Sequence, residues 1–226
     1  MSYNQILNNI ADSIESIIIE VNGKLIPTED FGWVNKRYQS DEFRLAHIER
    51  YSDKNLEVLH ITCFPNESYQ HPIFGFDVIC TEKKPLAAFM DWSPVDNTLS
   101  SYIGYEFEKN YPLPEWAKII FSQNALAVIP NDNELNKISE IAVNSFKQYI
   151  QILKGSKKCE YRSGYISAAQ NRYCENQQKN ERTYNVLKAK LGEQKAKHFM
   201  ENILFPKIEN RSSNYMYNWI REKSGL

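Results

Sequence analysis

The 226-residue sequence predicts an α/β protein, a three-layer α/β/α sandwich around a central, mostly antiparallel sheet. Two observations carry that expectation. Consecutive apolar segments with a period near two run from residue 43 to residue 92 and are joined by short turns, as in an antiparallel meander. Stripes with helical spacing lie before and after them, so helices can cover both faces of the sheet.

The first stripe places Ile6, Leu7, Ile10, Ile14, Ile17 and Ile18 on one face of a helix over residues 4–20, ended by Asn22-Gly23. Residues 31–40 (FGWVNKRYQS) read as a first, partly exposed strand. Residues 43–51 and 56–64 read as two strands joined by Ser52-Asp53-Lys54-Asn55, the second stopped by Pro65. Residues 73–81 and 86–92 read as two more, with Glu82-Lys83-Lys84-Pro85 between them and Ser93-Pro94 at the end. Residues 97–116 are expected to be irregular or partly helical, and residues 125–129 to form a short strand closed by Pro130.

From Glu134 the period changes. Leu135, Ile138, Ile141, Ala142, Phe146, Tyr149, Ile150 and Leu153 form one helical stripe, with Asp132 or Asn133 as its cap and Gly155 at its end. A helix over about 163–190, broken by Gly192, and another over about 193–204 follow. No repeat or linker divides the chain, so a single domain over 1–226 is expected, with a tail at 210–226 of no assigned role.

Net charge is −1, but it is unevenly spread. Residues 151–226 hold 15 Lys and Arg against 7 Asp and Glu, which leaves that third at +8 and the rest at −9. A basic third attracts an acidic partner or an anionic ligand; solvated helix faces give the same count. Cys63, Cys80, Cys159 and Cys174 lack the Cys-x-x-Cys spacing of zinc and redox sites. With no signal peptide and no apolar run long enough to span a bilayer, a soluble, cytoplasmic protein with reduced thiols is expected, Cys63 and Cys80 being core residues. Glycine-rich dinucleotide and phosphate loops and the Gly-x-Ser-x-Gly elbow are missing.

The unusual feature is a set of titratable groups inside the apolar strands: His47, Glu49, His60 and Asp77. If the hairpin turn centres on Asp53-Lys54, His47 faces His60 and Glu49 faces Val58, with Cβ atoms about 4.5–5.5 Å apart. Asp77 joins that face if its strand pairs beside residues 56–64. Three readings fit these residue types. They are satisfied polar residues at a sheet edge; or His47, Glu49 and His60 ligate iron, as two histidines and a carboxylate do in oxygenases; or they perform general acid–base catalysis on a bound substrate.

Several segments are similar to one family. RYQSDEFRLAHIE, LEVLHITCFP, PIFGFDV, AAFMDWSP, EFEKNYPLPEW, YCENQQKNERTYNVL and HFMENILF occur in the order and near the spacing of the ferredoxin-dependent bilin reductases. The chain most resembles the phycocyanobilin:ferredoxin oxidoreductase branch, from about Phe31 to Phe205. The resemblance implies the sandwich fold and four-electron reduction of biliverdin IXα to phycocyanobilin or phycoerythrobilin. Single electrons come from reduced ferredoxin, an external donor, and protons from the enzyme; no bound cofactor or metal is implied.

It further implies that Asp77 contacts the pyrrole nitrogens and protonates the bilin, that His60 pairs with Asp77, that Glu49 matches the carboxylate serving the D-ring vinyl reduction in the phycocyanobilin-forming branch, and that His47 lies behind His60. Arg182 stands at a propionate-binding lysine and Asn180 at a pocket asparagine. Three positions depart from the pattern: Tyr111 stands at a propionate-binding arginine, Leu86 replaces a small polar residue, and the tail runs past the family's usual end. Close viral relatives in this branch make phycoerythrobilin, and the Asn-, Ile-, Lys- and Tyr-rich composition fits an AT-rich, phage-like genome. A monomer that docks acidic ferredoxin on its basic C-terminal third is expected, with no nucleic-acid or membrane partner. A non-enzymatic tetrapyrrole carrier is the alternative from another class.

Overall fold

A computed structural model describes residues 2–95, 105–119 and 121–209; the expected features at 97–104 and in the 210–226 tail lie outside them. The chain runs α1 (Tyr3–Glu20), β1 (Lys24–Ile26), β2 (Val34–Gln39), β3 (Phe43–Ser52), β4 (Glu57–Pro65), β5 (Ile73–Cys80), β6 (Pro85–Ser93), α2 (Glu115–Lys118), β7 (Leu126–Val128) and α3 (Glu134–Gly155). After a 3-10 turn, Glu160–Arg162, come α4 (Ser163–Gln177), α5 (Glu181–Leu191), α6 (Glu193–His198) and a π-helical turn, Phe199–Leu204. The strands form one antiparallel sheet in the order β1-β2-β3-β4-β5-β6-β7.

One face of the sheet packs on α1 and α3. The α3 stripe read from the sequence is the set of residues that α3 buries, and α1 buries Ile6, Leu7, Ile10, Ala11, Ile14 and Ile18. These meet Ile48, Ile61, Cys63, Phe76, Val78 and Met90 in one apolar core that also holds Cys80. Burying a side chain such as Phe76 contributes about 1.5–3 kcal/mol. The turn after α1 shows why Asn22-Gly23 ends it. Asn22 has φ +62°, Gly23 N–H closes on the Ile18 carbonyl at 2.9 Å, and a Cβ on Gly23 would lie 2.4 Å from the Ile18 side chain.

The other face carries a second cluster, in which Leu45, Phe64 and Ile73 of the sheet meet Tyr173, Phe199, Ile203 and Phe205 of the C-terminal helices. Helices α4–α6 therefore form the third layer.

Several boundaries differ from expectation for identifiable reasons. The hairpin between β3 and β4 centres on Lys54-Asn55, because the Asp53 carboxylate accepts from the N–H groups of Asn55 and Leu56 at 2.7 and 2.8 Å. His47 therefore pairs with Thr62, and Glu49 with His60. β1 is an additional short edge strand, and Phe31 and Trp33 precede β2 rather than lie in a strand. The helix expected over 163–190 is two helices, because the Asn180 side chain accepts from Thr183 N–H and starts α5 anew. Gly192, at φ +78°, separates α5 from α6. Neither Asp132 nor Asn133 caps α3 with its side chain. Asn131 Oδ1 accepts from the Asn133 and Glu134 N–H groups, and Asp132 accepts from the Tyr3 hydroxyl.

Candidate active site

Strand pairing lays the predicted residues out in rows across the face that looks toward α4–α6. One row runs Asn35, Glu49, His60, Asp77 and Phe89 from β2 to β6. The next runs Arg37, His47, Thr62, Gly75 and Asp91. The corrected register shifts the pairing by two residues, so His47 and His60 keep a common face and Glu49 moves directly beside His60.

The centre of the first row is an ion-paired hydrogen bond, His60 Nδ1 to Asp77 Oδ1 at 2.6 Å. A carboxylate can only accept, so His60 Nδ1–H donates. His60 is buried and Asp77 half-buried. The His47 and His60 rings lie 6.0 Å apart, and Phe205 covers His60 edge-on at 6.0 Å. Asn35 Oδ1 bonds His47 Nε2 at 3.0 Å, and the Trp33 indole N–H donates to Glu49 Oε1 at 2.8 Å. Among the described residues, His47 Nδ1, His60 Nε2, Thr62 Oγ1 and Arg37 Nε are buried with no hydrogen-bond partner. Such atoms are costly in an apolar core unless a polar group meets them, and four of the six among the described residues share this face, Arg44 Nη2 and His71 Nε2 being the others.

Burial drives the electrostatics. It pushes the Glu49 carboxyl up to about 7, although the nearby His60 and the Trp33 hydrogen bond pull it back. Burial holds His47 well below the usual imidazole range, helped by His60 and Arg37. Burial also opposes charge on His60, but Asp77, by charge and hydrogen bond, and Glu49 together raise its pKa. A neutral His47, a carboxyl that titrates near neutrality and a proton-holding His60 thus share one patch, which suits proton transfer at neutral pH.

The α4–α6 layer is fixed over this face. Gln170 accepts from Arg44 Nε at 2.7 Å and donates to the Pro65 carbonyl at 2.9 Å. The Tyr173 hydroxyl lies over Gly75, where an added Cβ would meet it at 3.7 Å, and accepts from Gln177. Beyond Asp77, Phe89 packs edge-on against Tyr111 at 4.9 Å and lies parallel to Phe121.

Arg182, exposed in the first turn of α5, donates to the Tyr111 hydroxyl. It lies one aromatic layer outside the Asp77 row. Asn180 is half-buried and commits its side-chain oxygen to the α5 cap. Leu86 is half-buried on β6. Asp91, fully buried, accepts from Ser93 Oγ and from the Ser122 N–H and hydroxyl, fastening the segment after α2 to the sheet; burial raises its pKa.

Trp33, Asn35, Thr62 and Asp91 complete the face and were not singled out from the sequence. Asn35 and Arg37 alternate in phase with His47 and Glu49, a signal that becomes readable once the register is fixed. Among the described residues, no three His, Cys, Asp or Glu side chains are placed to hold a metal, and no helix is long and apolar enough to cross a membrane.

Comparison with known proteins places this chain in a family. Phycocyanobilin:ferredoxin oxidoreductase of Prochlorococcus marinus (strain SARG) is 31% identical over 190 residues, 78% of this chain and 76% of the relative. That of Trichodesmium erythraeum (strain IMS101) is 28% identical over 230 residues, 89% of this chain and 93% of the relative. A solved PcyX structure matches with TM-score 0.66 at 27% identity, covering 90% of this chain and 99% of that one. Phytochromobilin synthase from tomato, solved in complex with biliverdin, shares the fold with TM-score 0.69 at 15% identity, covering 88% of this chain and 82% of that one. The ferredoxin-dependent bilin reductase profile matches residues 20–206, so the chain belongs to that family and is an oxidoreductase acting on bilins.

Proposed function

We propose that this face reduces biliverdin IXα by four electrons to a phycobilin, phycocyanobilin or phycoerythrobilin, with the substrate held between the sheet and α4–α6. The observation that carries the reading is the row Glu49–His60–Asp77. It is three adjacent titratable groups with a 2.6 Å ion pair at its centre and a carboxyl near pH 7 at its end. Each reduced double bond takes two electrons, delivered singly by two reduced ferredoxins, and two protons. A single-electron donor leaves a bilin radical after each transfer. The proton must then come from a preorganised group rather than from bulk water.

Asp77, the most open member of the row, receives the pyrrole N–H groups and passes a proton held jointly with His60. His47, neutral and with Nδ1 free of partners among the described residues, serves as the base behind His60. Where phycocyanobilin is the product, Glu49 protonates the D-ring vinyl group. Arg182 clasps a propionate with Tyr111 beside it, since a planar guanidinium suits a carboxylate. Asn180 contributes through its cap, which fixes the start of α5 two residues before Arg182.

Acidic ferredoxin docks the monomeric enzyme on the basic C-terminal third, where Lys179 and Lys195 are exposed. Anaerobic incubation with biliverdin IXα, ferredoxin and a reducing system, followed by chromatography against phycobilin standards, tests the reading. A four-electron-reduced product is expected, and its retention identifies the reduced double bonds. Recovery of unreduced biliverdin would overturn it.

A further inference from the structure

One of the two Glu49 carboxyl oxygens is already engaged. Oε1 takes the Trp33 indole N–H at 2.8 Å, and that is the hydrogen bond the carboxyl makes among the described residues. An indole N–H donates and cannot accept, so Oε1 is occupied as an acceptor whether the carboxyl is protonated or ionised. A proton on Glu49 is thereby confined to Oε2.

The Trp33 ring is itself held. It meets Tyr51 edge-on at 5.3 Å, Phe199 at 5.5 Å and Phe31 at 6.1 Å. Phe199 opens the π-helical turn, a local irregularity that often marks functional sites, and packs at 4.6 Å on Phe31. Tyr51 is tied by its hydroxyl to Asp53, which Lys190 of α5 pairs at 2.6 Å. The indole is thus clamped between the edge of the sheet and the C-terminal helices, a rigid mount rather than a passing surface contact.

We propose that Trp33 is a positioning residue for Glu49. It fixes the carboxyl so that Oε2 alone carries the proton toward the bound bilin. The inference rests on the reading of Glu49 as a proton donor to the bilin given above. In that step one Oε2–H bond breaks and one C–H bond forms on the bilin. The electrons come from reduced ferredoxin, and Glu49 is left as a carboxylate facing His60. The other charged or titratable groups around Glu49 are His60 on β4, Asp77 on β5, and His47 and Tyr51 two residues to either side on its own strand; among the described residues the indole is the donor to Oε1.

The test compares the parent with Trp33→Phe, which keeps an aromatic ring and loses the donor. Substrate-free protein labelled with carbon-13 at the Glu δ-carbon is titrated by NMR, with Glu49→Gln identifying the signal. The Glu49 midpoint should rise by about one pH unit, since the lost bond favoured the ionised form. In the ferredoxin assay, the fraction of product lacking the reduction that Glu49 serves should rise about tenfold over parent, while the other reduction proceeds. Because Phe could loosen the aromatic cluster, 3-benzothienylalanine at position 33, with sulfur in place of N–H, serves as a second replacement of matching shape.

A midpoint that stays at the parent value in both replacements overturns the proposal. A moved midpoint with an unchanged product ratio supports the Trp33–Glu49 coupling and overturns the Glu49 reading beneath it.

Discussion

The two faces of the sheet share every strand and differ in almost every property. On the α1–α3 face, Ile48, Ile61 and Phe76 are buried in a continuous apolar core. One residue away along the same strands, Glu49, His60 and Asp77 form the titratable row under α4–α6. The pleat alone makes this possible: with a side-chain period of two, one strand can anchor a core and carry a titratable surface at once. The first face supplies stability, and the second gives some of it up to buried polar groups with unfilled hydrogen-bonding capacity.

Neighbouring substitutions should separate the two faces. Asp77→Asn should lower turnover by about 10²–10⁴-fold, the range for removing a general acid, while leaving thermal stability nearly unchanged. Phe76→Ala, the preceding residue, should do the opposite, costing about 3–5 kcal/mol in denaturant unfolding while the folded fraction keeps its turnover per molecule. A Phe76→Ala enzyme that is stable and inactive would erase the distinction.

A pH test is smaller in effect and sharper. The folded protein raises Glu49 from 4.5 to about 7, so across that window the folded state binds more protons than the unfolded one. Its stability falls as pH rises, by up to about 3 kcal/mol from this group. Glu49→Gln should therefore be no more stable than the parent below pH 4.5 and progressively more so toward pH 7 and above. A pH-independent difference would mean that Glu49 is not held protonated by burial. The smallest expected effect is at the surface: raising salt from about 0.05 to about 0.5 M should slow ferredoxin-driven turnover a few-fold by screening the basic third.

Much of this arrangement was legible in the sequence because periodicity is a local signal. The α3 stripe and the alternation of β3 and β4 can be read one segment at a time. The features that escaped depend on contacts between segments. Asp53 turns its carboxylate onto Asn55 and Leu56 and so moves the hairpin centre by one position, which changes who faces whom. Asn180 could be recognised as a residue of interest, but its cap on α5 follows from the break after Gln177. Trp33 precedes its strand and reaches Glu49 only once β2 lies beside β3. The family resemblance supplied the roles proposed for the row, and the register supplied its order.

The central claim is that Asp77, paired with His60, delivers protons to a bilin that is reduced one electron at a time. Its most direct test is a single-turnover reaction of Asp77→Asn with bound biliverdin IXα and reduced ferredoxin, followed by absorption and electron paramagnetic resonance. The predicted result is normal bilin binding, uptake of one electron and a radical that persists without advancing to product. Formation of the four-electron-reduced phycobilin at the parent rate would contradict it.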